Sequence, residues 1–427
     1  MPVLAAGVTP IFVIALIVFG TGVEWIAWRP PLLWAHHFGI ASNDPLARSG
    51  GTAISIDGVD LYIAGYTNYS KASRFYEVVW QGSAFLARYD SGGREIWTRT
   101  VSSNISSALF YPGKPVSSIA PWSNYVYIAA NVNDSSFVMK YDDAGNRIWF
   151  SRFGGPQSEI EAISATADGV NVVGSDYDQM EDLIQKYNFD GSLVWSTSLN
   201  SLGALIDLKA SLAGVYVLTV GALKKYDQNG NQVWTQPHAC GNCAPGGSLS
   251  EDDSGLYVAG NRGSVEKYAA DGSVLWNNRF QLPISWDSVH LSTMSASSSG
   301  VYSYLEPYLA GNVFLVKYDS SGKQVWSYAL PHQAKGWDTY PPPLSAGETG
   351  LYLAGSSDRG DVLLEEFSGS SSLVLFGINP PFSFITLGAF VAAVAAGFVL
   401  STRRIRRKMR KRSKTVRPRP AAEFPSD

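Results

Sequence analysis

Two cysteines occur in the chain, Cys240 and Cys243, in the phrase QPHACGNCAPGG. A C-x-x-C pair can close a small disulfide, cycle as a dithiol, or offer two thiolates to a metal ion. The flanking Gly and Pro suit a disulfide clasp on a loop. Redox cycling would call for a thioredoxin-like context, and none is visible. A metal site could recruit His238, yet the sequence supplies no fourth ligand. Two free thiols complete the alternatives. Asp142, Asp227 and Asp319 each open an Asp-x-x-Gly turn, but one carboxylate per turn is too few for calcium, and the positions fit turn chemistry. His36 and His37 are adjacent in an expected strand, where neighbours face opposite sides, so they do not share a ligand. The chain has no G-x-S-x-G, H-E-x-x-H or P-loop. No catalytic residue, metal site or cofactor is therefore assigned.

Large aromatics are the better candidates for recognition. Segments 66–83, 280–291 and 330–343 interrupt an otherwise regular pattern and carry Trp80, Trp286, Trp337 and Tyr340. Amphipathic rings of this kind suit contacts with sugars or proteins, and the alternative is that each caps its own loop.

The elements that must position these residues are written in a repeat. The pattern [KR]-Y-x-x-x-G-x-x-x-W occurs six times, ending at Trp97, Trp149, Trp195, Trp234, Trp276 and Trp326. Upstream of each lies a short apolar phrase of the LYxAG type (61–65, 126–130, 170–174, 215–219, 256–260, 301–305), and a seventh stands at 351–355. The longer motif predicts a hairpin: Asp at the first turn position, Gly at the fourth where positive φ is wanted, then a strand carrying an inward Trp. Trp-to-Trp spacings of 52, 46, 39, 42 and 50 residues centre near the ~40–50 of a propeller blade. The seventh LYxAG phrase is followed by LLEEFSGSSSLVLFG, which keeps Gly369 but loses Lys-Tyr and Trp, whereas Trp34 precedes the first repeat without a hairpin of its own. The economical solution is a seven-bladed β-propeller, all-β, in which the Trp34 strand closes the last blade and removes the open edge.

These phrases resemble the bacterial and archaeal β-propeller repeat family (SBBP repeats) and, more loosely, PQQ-like propeller repeats, over about residues 34–370. The resemblance implies a propeller and is nearly silent on function, because the recurring residues are blade structure. Quinoprotein dehydrogenases of the PQQ-like type carry adjacent cysteines and an acidic calcium cluster, and neither pattern is matched here. WD and kelch signatures are absent, and the sialidase Asp box fails on spacing.

Charge and hydropathy place the propeller. Phe382–Leu400 is nineteen residues without a charge, followed by Arg403, Arg404, Arg406, Arg407 and Lys408. That length nearly spans a ~30 Å hydrocarbon core, and the basic flank predicts a cytoplasmic tail. Residues 401–427 carry net +9 and the remaining chain net −12, so the acidic body is not expected to bind nucleic acid. Residues 2–23 are also uncharged and end before Trp25 and Trp28. They read as an uncleaved signal anchor, with a cleaved signal peptide or a buried helix as alternatives. The expected organisation is a signal anchor or signal peptide over 1–28, an extracytoplasmic propeller over 29–372, a transmembrane helix over 380–402 and a basic cytoplasmic tail over 403–427. The expected function is a membrane-anchored cell-surface module that binds or assembles with a surface protein or glycan, with membrane lipid as its other contact. An enzyme working in the central funnel, quinoprotein-like or carbohydrate-active, is the alternative from a different class. A sensor acting through the 27-residue tail would need a partner for its output.

Overall fold

The computed structural model describes residues 26–29, 32–38, 48–74, 77–107, 114–199, 205–237, 247–259, 264–279, 289–307, 313–330, 342–348, 350–356, 362–368 and 372–375. Residues 28–372 form one compact unit; residues 1–27 and 373–427 are grouped as another. Among the described residues no helix is long and apolar enough to cross a membrane, and the apolar segments 2–23 and 382–400 lie outside them.

Seven four-stranded antiparallel sheets make up the larger unit, each with its strands in sequence order except the last. Blade 1 comprises Arg48–Asp57, Asp60–Arg74, Glu77–Asp90 and Glu95–Ser107. Blades 2 to 6 begin at Val116, Ser158, Leu205, Ser248 and Val289 and repeat the same order. Blade 7 takes three strands from the C-terminal part, Leu344–Ala346, Gly350–Ser356 and Val362–Ser368, and its outermost strand from Leu32–Phe38. Trp34 stands opposite Glu366, the register position where Trp faces Lys in blades 2 to 6. The strand read as closing the ring thus does so. Ile26–Arg29 and Ser372–Leu375 form a separate two-stranded pair.

Burial peaks in the middle of each blade and is lowest at its outer edge. The second strands, built on the LYxAG phrases, are buried almost throughout, as in Gly169–Asp176 and Gly214–Thr219. Both of their faces pack on neighbouring blades, which is why they read as continuous apolar runs rather than alternating ones. Innermost strands are rich in Ser and Ala, small enough for the crowded axis. Outermost strands are half exposed.

One expectation is corrected. Segment 66–83 is not a loop: strands Asp60–Arg74 and Glu77–Asp90 continue through it as a long hairpin, with Lys71 opposite Trp80. The β-branched and aromatic run FYEVVW favours a pleated pair over a loop. Likewise 289–291, the end of segment 280–291, belongs to the innermost strand of blade 6, where His290 pairs with Glu306 inside a sheet.

Candidate functional site

The repeat residues turn out to work between blades. In blade 3, Lys186 and Trp195 are paired neighbours, and both reach across to blade 4, where the Gln228 carbonyl accepts from Trp195 Nε1 at 2.9 Å and Lys186 Nζ at 3.3 Å. The same carbonyl position, two residues after the turn tyrosine, is shared at other junctions. Asp143 accepts from Trp97 and Arg88, Phe189 from Trp149 and Lys140, and Ala270 from Trp234 and Lys225. Ser320 accepts from Trp276 at 3.1 Å and from Lys267 at 3.5 Å. Beneath the clamps of blades 1, 2, 4 and 5 lies the tyrosine of the LYxAG phrase, as in Tyr257, 5.9 Å from Trp276 and 5.0 Å from Lys267 Nζ. The turn glycine of the next blade covers the indole: Gly230 has φ +83°, and a Cβ there would stand 2.8 Å from the Trp195 ring. Trp34 meets Gly93 of blade 1 in the same way. Trp326, 3% exposed, is buried at its blade junction, and the blade 7 turn beyond it is outside the described residues. All seven of these tryptophans stand on the outermost strand of a blade. Asp142 and Asp227 fold back on their own turns, held below the usual carboxylate range by the side chains and then the backbone N–H groups of Asn146 and Asn231.

A channel of about 530 Å³ runs among the innermost strands. Nearly half of its lining is Ser, Thr or Ala, and several of the hydroxyls stitch one innermost strand to the next. Thr52 donates to the Val116 carbonyl at 2.6 Å, Ser250 accepts from Ala296 N at 2.7 Å, and Ser295 accepts from Ala346 N at 2.9 Å. Asp207 does the same with a carboxylate, accepting Leu249 N at 2.7 Å and Leu208 N at 2.8 Å. Innermost strands run from the end bearing the long connections toward the end bearing the short turns, so Lys114 and Asp207 stand near the first mouth and Asp57 and Trp122 near the second.

A cluster of ionisable groups lies at Glu159 and Glu161 on the innermost strand of blade 3, beside Lys114 and Asp207. Glu161 is the extra residue of a β-bulge between Ile160 and Ala162. Burial, and then the neighbouring Glu159 carboxylate, push its pKa up to about 7. Glu159 is raised by burial as well, while Tyr177, donating at 3.1 Å, opposes the rise. Sequence reading missed this pair: E-x-E in a single strand is common, and the bulge at Glu161 has no signature in the residues. No cluster of three metal-ligating side chains occurs among the described residues.

The aromatic candidates are not brought together by anything described. Trp80 lies in the blade 1 hairpin, and Trp286, Trp337, Tyr340, Cys240 and Cys243 fall outside the described residues. Among the described residues, the ends of the outermost strands and the starts of the innermost strands share one end of the propeller.

The sequence matches no protein-family model, and a search of curated proteins finds no match. Solved structures give similarities of fold. BamB from Moraxella catarrhalis is 13% identical, with 79% of this chain and all of that chain covered at a TM-score of 0.43. A protein of unknown function from Bacteroides caccae is 12% identical, with 64% and 94% covered at 0.42. The propeller assignment rests on the strand pairing itself.

Proposed function

We propose that the chain is a membrane-anchored, extracytoplasmic propeller that serves as a binding or assembly module, offering the end with the long connections to a protein or glycan. The observation that carries this reading is the channel wall: nearly half of its lining is Ser, Thr or Ala, and Thr52, Ser164, Ser248, Ser250, Thr293 and Ser295 spend their hydroxyls on joining neighbouring blades. The strand ends that flank the aromatic-bearing segments 280–291 and 330–343 meanwhile share one end of the propeller. Anchoring is supported by the uncharged segment 382–400 and the basic residues after it.

The test is affinity capture from crosslinked membranes with the full-length protein and with a Trp286→Ala, Trp337→Ala, Tyr340→Ala variant. Loss of a specific crosslinked partner in the variant, with unchanged circular dichroism, is the expected result. Retention of the same partner would remove the aromatic segments from the account. A second reading, an enzyme of the funnel, draws on the near-neutral acidity of Glu161. It requires a turnover that Glu161→Gln abolishes, with either a sugar or a redox substrate.

A further inference from the structure

Both ends of the propeller leave it on the same side. Val362–Ser368 is the third strand of blade 7 and runs toward the short-turn end, where Ser368 pairs with Gly350. The closing strand is antiparallel to it and starts there, with Leu32 opposite Phe367. Nine residues separate Leu32 from Val23 and fourteen separate Ser368 from Phe382, tethers of at most about 30 Å and 50 Å when fully extended.

The same end carries the exposed apolar side chains. In all seven blades the residue before Trp is the extra residue of a bulge, so that Val194, for instance, is skipped between the pairs Lys186–Trp195 and Tyr187–Leu193. It is aliphatic every time, from Leu33 to Val325, and 45–55% exposed. Val59, Leu212 and Trp122 add apolar surface at the short turns themselves. Among the described residues only Met180 and Phe150 are large, apolar and exposed elsewhere. A ring repeated once per blade is level around the whole circumference, which suits a planar surface better than a single groove in a partner.

We infer that the short-turn end of the propeller rests on the lipid surface, its aliphatic ring at the headgroup boundary, and that the long-connection end points away from the membrane. This rests on the anchored reading above. Tethering raises the local concentration of lipid enough for modest apolar contacts to hold an orientation. The ionised turn carboxylates at that end oppose an anionic surface, so zwitterionic lipid is the proper probe.

Single cysteines at Val59, Leu212, Val233 and Met180, in a Cys240→Ser, Cys243→Ser background of the full chain, would carry an environment-sensitive fluorophore. The labelled proteins are reconstituted in phosphatidylcholine vesicles containing doxyl-labelled lipid. Quenching at 59, 212 and 233 at least threefold greater than at 180 is expected. Quenching at 180 equal to or above the others overturns the orientation while leaving the anchor intact. Failure to float with vesicles overturns the anchored reading, and the orientation with it. Hydrogen exchange of the unsubstituted protein reads the same point without mutation: slowing on vesicles confined to the short turns supports the proposal, and slowing at 177–180 instead contradicts it.

Discussion

At Gly230 the backbone is left-handed and the space above it is filled by an indole, so two separate costs meet at one Cα. Gly230→Ala should lower stability by roughly 2–5 kcal/mol, combining left-handed strain with displacement of Trp195. Gly58 has φ +61° and nothing within 4 Å of a Cβ, so Gly58→Ala should cost about 1–2 kcal/mol from strain alone. Denaturant titration of the two variants separates packing from conformation. Glu161 offers a pH-dependent counterpart. Its acidity in the folded state, about 7, lies above the ordinary 4.5, so the unfolded chain releases this proton first as pH rises. The glutamate's contribution is full below about pH 4.5 and falls away up to about pH 7. Glu161→Gln should therefore raise the urea midpoint relative to the parent at pH 8 and change it little at pH 4. An equal shift at both pH values would remove ionisation as the cause.

Blades 1, 2, 4, 5 and 6 repeat one interblade stack of Tyr, Lys or Arg, and Trp; blade 3 departs from it. Asn171 stands where the others have tyrosine, fully buried, with neither amide atom meeting a hydrogen-bond partner. A buried amide left unpaired costs about 1–3 kcal/mol, and the ring absent there would cover Trp195. Asn171→Tyr should raise the melting temperature, and a fall would show that blade 3 has closed over the space. How legible the fold was follows from this stack. The Lys-Tyr, Gly and Trp positions are spelled out because each meets an invariant backbone feature of the next blade, so their spacing disclosed blades and ring closure together. Blade 7 was harder to read because two distant segments build it and Glu366, held by the Tyr352 hydroxyl at 3.0 Å, replaces the lysine. Innermost strands are the hardest to read, since Ser-rich runs carry no strand signal. The Glu159–Glu161 pair was illegible because its environment comes from blades 2 and 4, far away in sequence.

At the scale of the molecule, the closing strand connects residues about 335 positions apart, Leu32 with Phe367. Ser356 adds a hydroxyl bond to the Ser49 carbonyl across the same seam. A circular permutant beginning at residue 39, with 32–38 appended after Ser368 through a short linker, should keep the parent's equilibrium stability and refold faster, because closure becomes a local hairpin. Stopped-flow refolding in urea checks this, and an unchanged rate would mean that some other step governs folding.

The seam also sets a clock on synthesis. At 5–20 residues per second, the ribosome needs roughly 20–70 s after making Leu32 before Phe367 exists to receive it. Throughout that interval the closing strand waits for its partner. Six blades can assemble while a bare sheet edge waits beside them, so the nascent chain is most exposed to strand-adding neighbours just before it is finished.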